Sequence, residues 1–195
     1  MRTVLKISLL ISLFTIFYAI SFNSLSADKP NMNTQIDFIN DREAGNWIIV
    51  NDTVMGGRSR AGLAIEDDML MFGGILSLQN NGGFASTRRI DGPLDWKGKG
   101  QLEIKVLGDG RAYQFRLRTN RNIDGVAYVT NFKTKQGEVQ TFLFDLDEFT
   151  PLFRGRLVGN APKLDYADVS QLGFVLADKK PGEFMLKVAH IKQLI

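Results

Sequence analysis

The feature that most restricts this chain is a period of two in its hydrophobic residues. Leu102, Ile104 and Val106 fall on one side of an extended segment, with Glu103 and Lys105 on the other. Tyr113, Phe115 and Leu117 alternate with Gln114, Arg116 and Arg118, and Phe184, Leu186 and Val188 alternate with Met185 and Lys187. Successive side chains of a strand point to opposite faces, so such segments bury one face and wet the other. No segment shows the three-to-four-residue period of an amphipathic helix; only DLDEF, 145–149, suggests one short turn. Further strands are expected at 46–51, 59–66, 69–78, 84–90, 126–134, 138–144 and 170–177. Asp109-Gly110, within GDGR at 108–111, lies between two alternating runs and suits a hairpin turn, and DKKPGE, 178–183, marks a second. With 19 glycines for turns and 14 phenylalanines for a core, about ten short strands predict an all-β domain, an antiparallel sandwich or jelly roll.

The first residues follow another pattern. Arg2 and Lys6 precede an apolar run from Ile7 to Ile20, and small residues appear at Ser24, Ser26 and Ala27. This is the order of a secretory signal peptide, with cleavage expected after Ala27. An uncleaved anchor is the alternative, but Ser21, Asn23 and Ser24 weaken the far end of a span. The expected organisation is therefore a signal at 1–27, a polar, flexible lead-in at 28–35 and one sandwich domain over 36–195. Cleavage would take Arg2 and Lys6 from the 24 basic residues and none of the 21 acids, leaving a net charge of +1. The expected location is the bacterial periplasm, or the inner membrane if the N-terminus stays as an anchor. Membrane association is expected through that segment alone.

Composition closes several routes to function. No run of lysine and arginine forms a nucleic-acid stripe. The absence of cysteine removes disulfides, a thiol nucleophile and thiolate metal sites. His190 is the only histidine, which argues against a zinc site, and no G-x-S-x-G turn accompanies it to make a triad. His190 reads as a residue at the edge of the core. Asp52, Asp67, Asp68 and Asp109 sit in or beside turns, where acids serve turn chemistry, and no two of them stand out as a hydrolytic pair. No catalytic residue, cofactor or metal is therefore expected.

Two glycine-rich turns are conspicuous, NDTVMGGRSR at 51–60 and NNGGFASTRR at 80–89. Asn51, Asp52, Asn80 and Asn81 can cap turns, while Gly56, Gly57, Gly82 and Gly83 open backbone angles closed to other residues. Neither turn matches a phosphate loop, and the spacing fits no fixed calcium loop. Both are expected to be corners of the fold first and a site second. Arg58, Arg60, Arg88 and Arg89 would help knit them, with Arg154 and Arg156 of FRGR as a third element. Positive φ is expected at Gly57 and Gly83.

The stretch WIIVNDTVMGGRS resembles the signature of the complex I intermediate-associated protein 30 family. FGGILSLQNNGGFASTR (72–88), GDGRAYQFRLRT (108–119), PLFRGR (151–156) and QLGFVLADKKPGEFMLKV (171–188) continue the resemblance in order, over about residues 36–191. The resemblance implies a galactose-binding-domain-like sandwich and a non-catalytic assembly factor for NADH:ubiquinone oxidoreductase. Val139 stands where that family carries tryptophan and Asp145 where it carries proline, both at one strand and its exit. The family's mitochondrial members work on the matrix side, which corresponds to the bacterial cytoplasm. An exported relative would face the other side of the membrane.

Two kinds of binding remain. The first is a protein partner, as for an assembly factor or envelope chaperone. The second is a carbohydrate, for which Trp96 and Tyr128 are the candidate aromatic platforms and Trp47 reads as core. A polar face with Gln114, Arg116, Arg118 and Gln140 could line a concave sheet, and its arginines suit acidic groups. The candidate contact residues are Asn51, Asp52, Arg88, Trp96, Arg116, Arg118 and Tyr128.

Overall fold

The computed structural model describes residues 35–39, 42–91, 94–120 and 125–195. The expected signal peptide and most of the expected lead-in lie outside them. Thirteen strands follow one another: β1 Gln35–Asp37, β2 Trp47–Asn51, β3 Arg60–Glu66, β4 Met69–Leu76, β5 Ala85–Arg89, β6 Gln101–Gly108, β7 Ala112–Arg118, β8 Ala127–Lys133, β9 Val139–Phe144, β10 Thr150–Phe153, β11 Arg156–Leu157, β12 Gln171–Leu176 and β13 Gly182–Leu194. Gln35, expected in the lead-in, opens β1. The helical elements described are single 3₁₀ turns, among them Leu146–Glu148, where the short turn was expected.

The strands form two antiparallel sheets. One has the order β3-β4-β13-β6-β9, with β1 also paired to β13. The other has the order β11-β10-β8-β7-β12-β5-β2. β13 serves two neighbours on the same side: residues 182–188 pair with β4 and residues 190–192 with β1. Its register against β6 shifts between Val188 and His190, a bulge of the kind that increases local twist.

The alternation places the core as the sequence predicts. Leu102, Ile104, Val106, Tyr113, Phe115, Leu117, Leu186 and Val188 are fully buried, and Phe184 is nearly so. Phe115 stacks on Phe174 at 5.2 Å, and Phe132 meets Phe142 at 5.0 Å. Trp47 stacks on Phe174 at 6.2 Å, so it is core as expected. Aromatic pairs of this kind add about 0.5–1.5 kcal/mol each beyond the area they bury.

The order of strands decides where loops meet. β2 and β5 are adjacent at one edge of the seven-stranded sheet, and β3 and β4 are adjacent at one edge of the other. The β2–β3 and β4–β5 connections therefore both cross between the sheets. They are the two glycine-rich turns.

Candidate functional site

The two crossing turns meet on one carboxylate. Asp52 is 1% exposed. Its Oδ1 accepts the Ser59 N–H at 2.9 Å. Its Oδ2 accepts the Ser59 hydroxyl at 2.6 Å, the Gly83 N–H at 2.6 Å and the Phe84 N–H at 3.3 Å. Ser59 Oγ in turn accepts the Ser77 N–H at 3.0 Å. Asn80 Nδ2 donates to the Gly56 carbonyl at 3.2 Å. Burial opposes ionisation of Asp52, but these donors outweigh it and hold the carboxyl below its ordinary value.

The glycines serve this carboxylate in two ways. Gly56 and Gly83 take positive φ, 87° and 125°. Gly57 does not, contrary to expectation. Its role is space, because a Cβ there would lie 2.3 Å from Asp52 Cγ. A Cβ on Gly82 would lie 2.5 Å from Asp52 Oδ2. Two further expectations need correcting. Asn51 makes no side-chain cap, and its Oδ1 is buried without a partner. Arg58 and Arg60 are exposed rather than packed between the turns, and Arg89 is buried in an ion pair with Glu43, Nε to Oε1 2.6 Å. FRGR is remote as well, since β10 and β11 end the seven-stranded sheet opposite to β2. Arg154 instead takes φ 49° at the hairpin tip, its guanidinium 5.4 Å from the centre of the Phe153 ring, while Arg156 is exposed.

A second knot joins the β6–β7 and β12–β13 turns. Arg111 Nε and Nη2 donate to Asp178 Oδ2 and Oδ1 at 3.0 and 2.6 Å, and Nη1 reaches the Glu183 carbonyl at 3.0 Å. Asp109 Oδ2 accepts the Tyr113 hydroxyl at 2.9 Å and the Met185 N–H at 2.8 Å, and Gly110 holds φ 87°. The hairpin expected at Asp109-Gly110 is not formed: β6 and β7 belong to different sheets, so this turn crosses between them.

The outer face of the seven-stranded sheet is chemically different. Register puts Arg88, Gly173 and Arg116 side by side across β5, β12 and β7, and puts Gln171 beside Arg118. With strands about 4.8 Å apart, the Cα atoms of Arg88 and Arg116 are about 10 Å apart, and the residue between them has no side chain. A Cβ on Gly173 would lie 2.1 Å from the Thr87 carbonyl oxygen, so no other residue fits. The result is a small, shallow depression bordered by Ser86, Arg88, Arg116, Arg118, Gln171 and Val175. Arg116 Nε and Nη2 donate to Gln114 Oε1 at 3.0 and 2.5 Å. Arg118 Nη1 donates to the Gly125 carbonyl. Gln171 is 3% exposed, and its Oε1 is buried without a partner. Burial, and then the charge of Arg88, push the Arg116 pKa down. Arginine stays protonated nonetheless.

Other candidates are placed elsewhere. Trp96 and Tyr128 are each 3% exposed, so neither offers an exposed platform for a sugar ring. Trp96 packs edge-on against Tyr166 at 6.3 Å, and the Tyr128 hydroxyl donates to the Pro162 carbonyl at 2.7 Å. Gln140 lies in β9, in the other sheet, and accepts the Lys135 N–H. His190 is half-buried, its Nε2 2.8 Å from Glu103 Oε1. Among the described residues, no cluster of histidine and carboxylate side chains is placed to hold a metal ion. Sequence reasoning missed Gln171 and Gly173. The available signal was a glycine inside the otherwise buried run QLGFVL, which marks a close backbone approach.

Comparison with known proteins agrees with this architecture. The family model for complex I intermediate-associated protein 30 matches residues 36–188. The probable mitochondrial complex I intermediate-associated protein 30 of Caenorhabditis elegans and that of Caenorhabditis briggsae are each 27% identical over 100 residues, 49% of this chain. That match spans only 29% of the length of those curated relatives. Among solved structures, a family 11 carbohydrate-binding module from Clostridium thermocellum, in complex with a β-1,3-1,4-mixed-linked tetrasaccharide, superposes with a TM-score of 0.59. It is 13% identical, and the match covers 83% of this chain and 96% of that one. At that identity the likeness concerns the fold. The chain belongs to the complex I intermediate-associated protein 30 family, carried on an antiparallel β-sandwich.

Proposed function

We propose that this chain is a non-catalytic binding module, an exported factor of assembly-factor or chaperone type, that holds a protein partner on the outer face of its seven-stranded sheet. The observation that carries the reading is the row Arg88, Gly173, Arg116 beside the unpartnered buried Oε1 of Gln171. The relatives named for association with complex I intermediates support a protein partner. The expected export signal would place that partner in the periplasm rather than at the cytoplasmic side of the respiratory complex.

Carbohydrate binding is the second reading, favoured by the sugar-bound module of the same fold. The burial of Trp96 and Tyr128 speaks against it, because sugar rings bind on exposed aromatic faces. Cross-linked capture from envelope extract, run beside a glycan array, separates the two. The expected result is a saturable protein partner whose recovery falls with Arg116→Gln, and no glycan signal. Glycan binding that survives without any protein partner would reverse the order.

A further inference from the structure

The edge of the seven-stranded sheet opposite to β2 ends in a projecting tip. The β10–β11 hairpin pairs with β8 only as far as Leu152, which stands opposite Ala127. From Phe153 to Arg156 it runs on past that ladder, and β11 closes the strand order with β10 as its neighbour. Arg154 and Gly155 hold φ 49° and 79°, the two positive angles of a tight hairpin turn, so the tip has a set shape. Apolar side chains stand out from it: Phe153 is 41% and Leu157 69% exposed. They point to opposite faces. Phe153 shares its face with Arg156, and Leu157 shares the other with Leu152, because opposed residues of an antiparallel pair lie on one face and successive residues alternate. Arg154 and Arg156 are exposed beside them, and the Arg154 guanidinium lies 5.4 Å from the centre of the Phe153 ring. The stretch 149–164, which ends beyond the exposed Lys163, holds no aspartate or glutamate. Neighbouring β8 holds none either. Among the described residues, no ion pair engages Arg154, Arg156 or Lys163.

We propose that this hairpin tip docks on an anionic phospholipid bilayer, with Phe153 and Leu157 entering the boundary between headgroups and acyl chains and Arg154 and Arg156 on lipid phosphates. A protein groove of fixed shape covers one face of a hairpin. A fluid interface closes round both, and here both faces are apolar. Basic side chains beside exposed apolar groups, with no acid among them, match a surface that is negative outside and apolar within. The Arg154 guanidinium against the Phe153 ring keeps its charge at headgroup depth as the ring enters. Two apolar side chains give a weak, reversible contact that needs the charges as well. Val54 and Met55 of the β2–β3 turn are more exposed, but there Arg60 stands opposite Ile75, whose other neighbour is Glu183, so an acid shares that rim. Membrane contact was expected through the N-terminal segment alone; the hairpin is a second contact. β8 separates it from Arg116 on β7, and it does not depend on the protein-binding reading.

The chain has no cysteine, so Leu157→Cys allows a polarity-sensitive fluorophore to be attached at the tip, and Val54→Cys allows the same label at the crossing turns. Each labelled protein, as its native host processes it, is titrated with vesicles of phosphatidylcholine containing about one-third phosphatidylglycerol, and with phosphatidylcholine alone. On the anionic vesicles only, the label at 157 is expected to shift to the blue and to be quenched by spin-labelled acyl chains, and about 0.5 M salt should reverse this. The label at 54 should not respond. Phe153→Ser should weaken the response about tenfold, and Arg154→Gln and Arg156→Gln about fivefold each. Lysine at both positions keeps the charge and should retain most of the binding. Arg116→Gln should change nothing. All these side chains of the tip are exposed, so the melting temperature should hold. No shift on anionic vesicles, an equal shift at 54, or an equal loss with Arg116→Gln would overturn the proposal. So would a protein captured from extract through Phe153 and Leu157 while vesicles stay unbound, which would make the tip a protein contact. Failure of vesicle binding leaves the protein-binding reading standing, because that reading is tested by extract capture with Arg116→Gln.

Discussion

A carboxylate at 1% exposure is normally expensive, and Asp52 is tolerated because backbone and hydroxyl donors from both crossing turns converge on it. Asp52→Ala would leave the N–H groups of Ser59 and Gly83 buried without an acceptor, so a loss of about 3 kcal/mol is expected in thermal or urea melts. The same logic makes Gly57 depend on Asp52. An alanine there meets a side chain that its hydrogen bonds prevent from moving. Gly57→Ala alone should therefore cost more than Gly56→Ala, whose cost is the left-handed backbone, about 1 kcal/mol. In an Asp52→Ala background the Gly57→Ala cost should shrink, and a double-mutant cycle measures that coupling. Simple additivity would show that the glycine is not there to make room for the carboxylate.

At the scale of elements, the β6–β7 and β12–β13 connections, which both pass from one sheet to the other, are tied through Arg111 and Asp178. Asp178 is 9% exposed in this pair. Arg111→Ala strands its charge and should destabilise the fold by about 3 kcal/mol, with faster hydrogen exchange at residues 108–112 and 178–183. A fully wild-type melt would mean that the pair contributes nothing beyond its geometry. The strands of this core were legible from period two because each buries one face, as β6, β7 and β13 do. β1, β10 and β11 were not, since segments of two to four residues carry no period and are strands only because a neighbour offers its edge. Trp96 lies outside any strand, so no alternation told which way it points, and only packing against Tyr166 settles it. The arginine site was half legible. Arg116 and Arg118 share a face by spacing alone, but Gln171 and Gly173 join them through β7–β12 pairing across more than fifty residues of sequence. The glycines of the crossing turns were recognised as corners, while the carboxylate that needs their space was visible only in three dimensions.

For the whole molecule, three carboxyls are shifted the same way. Burial opposes ionisation of Asp52 and Asp178, and hydrogen bonds, from Ser59 and Gly83 in one case and Arg111 in the other, hold both below the ordinary aspartate value of 3.8. Glu103 is held below 4.5 by Lys192 and then His190. A depressed folded pKa gives stability that is present above the unfolded value and is lost as pH falls through the folded one. The melting temperature should thus hold from neutral pH to about pH 5 and drop steeply below about pH 4. Asp52→Asn should flatten that drop; an unchanged acid limb would remove Asp52 from the account. Export is tested at this scale too. Protein recovered from its native host should lack its first 24 to 27 residues by intact mass. Intact Met1 in the membrane fraction would mean an anchor.

The central claim is that partners meet the arginine face of the seven-stranded sheet while the crossing turns only hold its rim. Hydrogen–deuterium exchange of the protein with and without its captured partner tests this most directly. The account predicts added protection at residues 86–88, 114–118 and 171–175, and unchanged exchange in β6 and β13. Protection confined to 51–60 and 80–84, with the arginine strands unaffected, would contradict it and make the glycine-rich turns the recognition surface.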